Sequence, residues 1–352
     1  MSRALAIDLG TANTVVYVKG QGIRLRQPTV IALNERSGEI LAIGDEANEM
    51  IGRTPGHIVA VRPLRGGAIS DFDTTAQLLR LLLRKAGGGR LTRPKVVLCV
   101  PSAITPVERR AVQEAAMEAG AKAAYLLEEP MAAAIGADLP VLEPAGSLIV
   151  DAGGGTTEVA CIALGGIVTH NAIRVAGFDL DAAVVQYVRR EYAVVIGERT
   201  AEAVKIAVGS ATRPLRRQRR GGDGAGGGGG PDKVEVRGRE LATGMPKTLL
   251  LDADEVREAL EEPVGQIVQA VVDTLSAAPP DIADDVLDKG IFMTGGTSLL
   301  RGLRARIAEE TDVPVHLVDN PLDCVVLGAG RVLESFDDLA SLFVGVGGDG
   351  GG

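Results

Sequence analysis

The fold is decided by two stretches: residues 6–11, AIDLGT, and residues 149–157, IVDAGGGTT. In each, an apolar run ends in aspartate, the chain turns through glycine, hydroxyl side chains follow, and a second apolar run begins. This pattern predicts a strand, a tight turn and a second strand, once in each half of the chain. Glycine lets backbone N–H groups approach an anion, and an aspartate at a strand end can hold a divalent cation through water. Two such hairpins facing each other would bind the phosphates of a nucleotide from both sides.

Length and composition limit the possible classes of protein. The chain has 352 residues, more than one ordinary core accommodates, so two lobes are expected. Tryptophan is absent and aromatic residues make up 3%, so the cores must consist of aliphatic side chains. The net charge of −9 argues against general nucleic-acid binding. Three cysteines in separate apolar runs predict buried free thiols in a reducing cytoplasm, and no apolar run of about 18 residues predicts a membrane span.

Strands alternate with helices along most of the chain, which predicts a layered α/β architecture. Residues 95–100 are a predicted strand, and residues 105–108, TPVE, predict a helix start with a capping box and a proline at the first position. Further helices are predicted at 131–137, 181–192 and 254–275, the last kinked or divided by Pro263.

The predicted domain organisation has a first lobe at 1–145 and a second lobe at 146–335. Each lobe contains a small inserted subdomain, at about 34–63 and at about 180–250. Residues 213–231 contain five arginines within eight residues and then a glycine-rich tract, which predicts a flexible loop. A contact between this loop and an anionic lipid or an acidic partner is the alternative interpretation. Residues 336–352 are predicted to be a mostly disordered tail.

A third glycine turn, residues 295–298 (GGTS), follows an apolar run and precedes an amphipathic helix. Such a helix start offers N–H groups and a favourable dipole to an anion or to the sugar of a nucleotide. The absence of any Gly-Lys dipeptide excludes a Walker A loop, and none of the three turns carries the dinucleotide fingerprint. The three histidines are isolated in sequence, which supports neither a zinc site nor a Ser-His-Asp arrangement.

Glu129 is the carboxylate singled out as a candidate catalytic group. It is expected to end a strand, fixed by Pro130, at the same edge of the sheet as the hairpins. Hydrolysis of a nucleotide needs a group that orients water in line with the γ-phosphate. The alternative is a structural glutamate at a helix start, favoured there by the helix dipole.

Several of these segments together resemble the MreB family of bacterial actins, from Ala4 to about Leu333. The resemblance is carried by residues 8–14 (DLGTANT), 53–56 (RTPG), 128–136 (EEPMAAAIG), 151–158 (DAGGGTTE) and 294–296 (TGG). The hairpins alone mark only the wider superfamily of actin, Hsp70 and sugar kinases. The strings TANT and EEPMAAAIG are much more specific to the MreB family.

The resemblance implies a two-lobed actin-like ATPase fold of four subdomains, with ATP and Mg²⁺ in the cleft. Asp8 and Asp151 are expected to face the metal through water, and Glu129 to position the attacking water with Thr156 beside it. The residues expected to contact the nucleotide are Thr11, Ala12, Asn13, Gly153, Gly154, Gly155, Glu202, Lys205, Gly295, Gly296, Thr297 and Ser298.

The resemblance further implies a cytoplasmic protein that hydrolyses ATP to switch the state of a polymer. Its expected partners are copies of itself in double filaments, cell-elongation membrane proteins and the machinery of peptidoglycan synthesis, through which it organises cell shape. No amphipathic helix is expected ahead of the first strand. A weak contact with the inner face of the cell membrane is expected from Leu91, Arg90, Arg93 and the arginine tract.

Two alternatives stay open. A monomeric Hsp70-like or sugar-kinase-like ATPase would need, respectively, a β-rich peptide-binding domain or a substrate base in the cleft. A degenerate homologue would bind nucleotide without hydrolysing it or polymerising, and the presence of Glu129 and Thr156 argues against it.

Overall fold

A computed structural model describes residues 4–65, 68–69, 71–87, 93–213 and 232–344. In chain order the strands are β1 (Ala4–Leu9), β2 (Asn13–Val18), β3 (Gly22–Pro28), β4 (Ile31–Asn34), β5 (Ile40–Ile43), β6 (Ile58–Val61), β7 (Leu64–Arg65), β8 (Ala68–Ile69), β9 (Lys95–Val100), β10 (Ala123–Glu128), β11 (Ser147–Ala152), β12 (Thr157–Ala163), β13 (Gly166–Ile173), β14 (Val194–Val195), β15 (Lys233–Glu240), β16 (Pro246–Asp252), β17 (Ile291–Thr294) and β18 (Val315–Leu317). The helices are α1 (Asp45–Met50), α2 (Phe72–Gly87), α3 (Pro106–Glu118), α4 (Glu129–Gly136), α5 (Gly177–Tyr192), α6 (Glu198–Val208), α7 (Ala253–Ser276), α8 (Pro280–Lys289), α9 (Leu303–Thr311) and α10 (Cys324–Glu334). Short 3₁₀ turns occur at Gly296–Leu299 and Ala340–Leu342.

Two five-stranded sheets within the described residues share one topology. The first has the order β3-β2-β1-β9-β10, and the second has the order β13-β12-β11-β17-β18. In each, three consecutive strands form an antiparallel meander, and two later strands add in parallel on the other side of the first. The hairpin repeated in the sequence is therefore part of a repeated sheet.

Both predicted hairpins are confirmed. Strands β1 and β2 pair antiparallel up to Leu9 and Thr14, and strands β11 and β12 pair up to Ala152 and Thr157. Strands β11 and β12 are buried along their whole length, which shows that the second sheet is covered on both faces. The two glycine turns thus sit at corresponding corners of the two sheets.

The cores are aliphatic, as the composition predicts. One large cluster packs the first sheet against α2 and α3, and another packs the second sheet against α5, α6 and α7. A third cluster lies between the sheets and includes three alanines of α4 and, from α10, Cys324, Ala329 and other apolar side chains. The three cysteines are free and buried, as predicted.

Helices α4 and α10 carry the chain from one lobe to the other and back. They cross at very close range, because a Cβ at Gly136 would overlap the carbonyl of Cys324, and one at Gly328 would overlap the carbonyl of Ala132. This contact needs glycine for close approach and not for an unusual backbone conformation.

Each lobe also carries a small three-stranded sheet. In the first lobe it has the order β5-β4-β6 and spans 31–61, and in the second it has the order β14-β15-β16 and spans 194–252. The predicted flexible loop at 213–231 lies outside the described residues, apart from Arg213. Residues 88–92, which include the predicted membrane contacts Arg90 and Leu91, also lie outside them.

Two local features refine the sequence predictions. Helix α7 is not divided at Pro263, which excludes one of its two predicted forms, because buried residues on both sides of the proline pack into the second core. Glu129 is the first residue of α4, and strand β10 ends one residue earlier.

Residues 336–344 fold onto the first lobe and do not belong to a disordered tail. The rings of Phe336 and Phe343 lie 4.8 Å and 5.2 Å from the ring of Tyr125, and this aromatic contact holds the segment in place. Residues 345–352, the rest of the predicted tail, lie outside the described part of the chain.

The described helices include none with both the length and the apolar character that a membrane span requires.

Candidate functional site

A cleft of about 480 Å³ lies between the two lobes. Its walls are formed by the two hairpin turns, the start of α4, one face of α5 and α6, and the third glycine turn. Nearly all residues predicted for the site line this cleft. They are Asp8, Thr11, Ala12, Asn13, Glu129, Asp151, Gly153, Gly154, Gly155, Thr156, Glu202, Lys205, Gly295, Gly296 and Thr297.

The tips of the two hairpins touch each other across the cleft. A Cβ placed on Gly154 would lie 2.5 Å from the Cβ of Ala12, and one on Gly155 would lie 2.8 Å from the side chain of Thr11. Neither glycine has a left-handed backbone conformation, so their small size is needed for the approach of the opposite turn. The facing arrangement that the repeated motif predicts is therefore present.

Hydrogen bonds fix the shape of both turns. In the first hairpin, Thr29 donates from its hydroxyl to the carbonyl of Gly10 at 2.6 Å and from its N–H to the carbonyl of Ala12 at 2.9 Å. In the second hairpin, the N–H of Phe178 donates to the carbonyl of Gly154 at 2.8 Å. The hydroxyl of Thr297 donates to the carbonyl of Gly153 at 2.6 Å, which joins the third glycine turn to the second hairpin. These contacts prearrange the turns before any ligand binds.

Buried carboxylates concentrate at the base of the cleft. Burial, together with the nearby Asp151, raises the pKa of Asp8 to about 7, and burial raises the pKa of Asp151 to about 6. Burial and the neighbouring Glu158 raise the pKa of Glu129 well above its usual range. Such a group of acids favours the binding of a cation, which would stabilise the ionised forms.

Glu158 is a member of this group that sequence reasoning missed. It is 1% exposed, and burial raises its pKa to about 7 although the N–H of Ser102 donates to its Oε2 at 3.0 Å. Ser102 follows β9 in the first lobe, so this hydrogen bond joins the two lobes. The residue does follow Thr156 and Thr157 in the quoted motif, but only the fold shows that it is buried beside Glu129.

Lys205 is held by an ion pair on the second-lobe wall. Its Nζ lies 2.8 Å from Oδ1 of Asp181 and donates to the carbonyl of Gly177 at 3.0 Å. Glu202, one turn earlier on α6, is exposed within the cleft. Asp181 was predicted only as the start of a helix, because nothing in the local sequence links it to Lys205, which follows 24 residues later.

An apolar surface forms another part of the second-lobe wall. Ile206, Leu299 and Leu322 are exposed large side chains that line it, next to Arg301. The guanidinium of Arg301 donates to the carbonyls of Ala207 and Gly209 at 2.7 Å and 3.0 Å. Sequence reasoning missed this surface, because leucines near a helix start look like ordinary core residues.

Ser298 differs from its prediction as a ligand-contacting residue. It is 2% exposed, does not line the cleft, and donates from its hydroxyl to the carbonyl of Gly295 at 2.5 Å. The Ser298 hydroxyl is thus hydrogen-bonded within its own turn. Gly295 has φ +84°, and the main chain of Ala152 leaves no space there for a side chain.

Two sheets of one topology that enclose a cleft between opposed glycine turns define a protein of the actin-like fold. The chain belongs to the MreB/Mbl family, whose model, described as "MreB/Mbl protein", matches residues 2–341. The fold and the family that the sequence predicts are thus confirmed.

Close relatives cover nearly the whole chain. It is 46% identical over 342 residues to the cell shape-determining protein MreB of Escherichia coli (strain K12). The alignment covers 96% of this chain and 94% of that protein. It is 44% identical over 339 residues to the cell shape-determining protein Mbl of Bacillus subtilis (strain 168). That alignment covers 96% of this chain and 98% of that protein.

Solved structures give the same result. MreB5 of Spiroplasma citri bound to ADP superposes with a TM-score of 0.88 at 31% identity, over 97% of this chain and 99% of that one. The MamK double helical filament superposes with a TM-score of 0.77 at 23% identity, over 94% and 98%, which shows a shared fold alone.

Proposed function

We propose that this protein binds ATP with Mg²⁺ in the cleft, hydrolyses it to ADP and phosphate, and forms filaments that organise peptidoglycan synthesis and cell shape. The observation that carries the proposal is the contact between the two hairpin tips, Ala12 against Gly154, with the buried carboxylate of Glu129 in the same cleft. The names of the relatives support the cellular role, and the ADP and AMPPNP bound by MreB5 of Spiroplasma citri support the ligand.

The two turns would hold the phosphates, and the second-lobe wall would hold the nucleoside. Residues 11–13 and 153–155 line the same cavity where their turns meet, so backbone N–H groups from both turns would surround a phosphate chain beside this contact. Glu202 lies where it can accept hydrogen bonds from a ribose. The apolar surface of Ile206, Leu299 and Leu322 suits the face of a base.

The residues at the base of the cleft fit a magnesium ion held through water. In the described residues, no three Asp, Glu, His or Cys side chains are close enough together to bind an ion directly. Mg²⁺ gives up its water shell reluctantly, so Asp8 and Asp151 can hold it through water molecules. When bound, the ion would neutralise negative charge on the phosphate oxygens.

Glu129 would orient the attacking water, with Thr156 beside it. The carboxylate lies at the N-terminus of α4, where the helix dipole favours its ionised form against the effect of burial. An ionised carboxylate accepts hydrogen bonds from water and can align it with the γ-phosphate.

The Glu129→Ala variant tests this role. We expect phosphate release to slow at least about a hundredfold, the lower end for loss of a positioned acid–base group, while nucleotide affinity stays within about threefold. The matched control is Glu128→Ala, which removes the preceding carboxylate. Glu128 does not line the cleft, so this variant should release phosphate at the wild-type rate. Equal rates for Glu129→Ala and wild type would remove Glu129 from catalysis.

Sedimentation and electron microscopy with ATP, ADP or no nucleotide test the filament role. Filaments that depend on ATP are expected. Persistent monomers under all three conditions would contradict the cytoskeletal function and favour a monomeric ATPase or a degenerate homologue.

The proposed partners follow from the family. They are further copies of the chain in double filaments, cell-elongation membrane proteins and the wall-synthesis machinery, at the inner face of the cell membrane.

A further inference from the structure

Arg62 connects the two lobes beside the cleft. It directly follows β6 in the small sheet of the first lobe, and its Nη1 lies 3.0 Å from Oε2 of Glu198, in the first turn of α6. Its guanidinium carbon lies 4.5 Å from the ring centre of Phe178, at the start of α5. Both partners belong to the second lobe. Phe178 lines the cleft but Arg62 does not, so the arginine lies just outside the cavity against its wall.

Phe178 links Arg62 to the second glycine turn. Its ring receives the guanidinium, and its N–H donates to the carbonyl of Gly154 at 2.8 Å. Gly154 is the residue whose turn touches Ala12 of the first hairpin. Arg62 of the first lobe therefore contacts Phe178, and Phe178 is hydrogen-bonded to the glycine turn that is proposed to hold phosphate.

These contacts can break without disturbing the core. Another ion pair between the lobes, Arg26 with Asp323, lies directly before α10, where the chain itself crosses. The Arg62 contacts involve α5 and α6 instead, away from that crossing. The side chains of Arg62 and Glu198 are 26% and 66% exposed, so their ion pair is weak and costs little to break.

We propose that Arg62 is a positioning residue that holds the cleft closed over a bound nucleoside triphosphate and sets the rate at which the nucleotide leaves. The proposal rests on the nucleotide binding proposed above. Opening would break the contacts of the guanidinium with both Phe178 and Glu198, since one side chain makes both.

The expected effect is moderate. A cation–π contact and a partly exposed ion pair are each worth about a two- to fivefold change, so Arg62→Ala should release nucleotide about tenfold faster. Glu198→Gln should speed release about twofold, and this smaller effect should vanish in high salt because exposed charges are screened.

Stopped-flow release of a fluorescent ATP analogue, chased with excess ATP, measures these rates. The full-length protein is used below the concentration at which it sediments. Arg110→Ala is the matched control, because it removes an exposed Arg–Glu pair of 2.8 Å on α3 without touching the cleft. The charge swap Arg62→Glu with Glu198→Arg is expected to release more slowly than Arg62→Glu alone, because the swap restores an attractive pair.

The association rate separates this role from damage to the site. A cleft that opens more easily binds nucleotide as fast as wild type or faster, whereas a distorted site binds it more slowly. Wild-type release from Arg62→Ala, or equal acceleration by Arg110→Ala, would overturn the proposal. If Arg62→Ala does not fold, the release and association rates of Glu198→Gln and of the charge swap test the proposal instead. A wild-type protein that binds no nucleotide contradicts the proposed function instead.

Discussion

At the scale of single residues, the glycines of the second hairpin differ in what a side chain would meet. A Cβ on Gly154 would come within 2.5 Å of Ala12, whereas one on Gly153 would lie 3.4 Å from the carbonyl of Thr156. The first distance requires one hairpin to move, and the second is an ordinary contact. The sequence shows three equivalent glycines, and only the fold shows which of them touches the opposite lobe.

Gly154→Ala is therefore expected to weaken nucleotide binding about tenfold or more. Overpacking at a tight contact costs about 1–3 kcal/mol, and about 1.4 kcal/mol is a factor of ten in affinity. Gly153→Ala should weaken binding less, and titration with a fluorescent nucleotide compares the two. Equal losses would mean that the contact between the hairpins does not set the affinity.

At the scale of helices and strands, what could be predicted from the sequence was local. The capping box of Thr105 and Glu108, and both hairpins, depend on residues a few positions apart, and the structure confirms them. The crossing of α4 and α10 could not be predicted from such patterns, because Ala132 and Gly328 are nearly 200 positions apart. For the same reason the sequence does not indicate Phe178 and Asp181 as cleft residues, whereas Glu129, directly before Pro130 at a predicted strand end, is predicted to lie there, and it does line the cleft.

Two helical glycines allow a test of the crossing. Gly328→Ala is expected to destabilise the protein by about 1–3 kcal/mol, because a Cβ would overlap the carbonyl of Ala132. Gly265→Ala, within α7 and with no atom inside 4 Å of the added Cβ, should stabilise it by about 0.5–1 kcal/mol. The midpoint of urea unfolding measures the change in stability of each variant. Destabilisation of similar size in both variants would show that loss of glycine itself, and not the crossing, is responsible.

At the scale of the whole molecule, the cysteines report whether the cores stay closed. Cys99 and Cys324 belong to the cluster between the two sheets, and Cys161 belongs to the second-lobe core. Burial raises the pKa of Cys161 to about 11 and that of Cys324 to about 12. Both thiols are therefore protonated as well as inaccessible at pH 8.

We expect none of the three thiols to react with a disulfide reagent within minutes at pH 8 in the folded protein, and all three to react in guanidinium chloride. The absorbance of the thiolate that the reagent releases gives the number of cysteines that have reacted. Rapid reaction of Cys99 or Cys324 in the folded state would show that the lobes separate far enough to expose the cluster between them.

The crossing of α4 and α10 also forms the hinge between the two lobes. Both passages of the chain between the lobes lie side by side there in close contact, so we expect relative motion of the lobes to be a rotation about that point. Glu129 of α4 and Val325 of α10 line the cleft together with the glycine turns, and each lobe carries its small three-stranded sheet as a separate unit. A rotation that moves the glycine turns apart would therefore also move the two small sheets. A neighbouring molecule that contacts those sheets can sense the contents of the cleft without touching it.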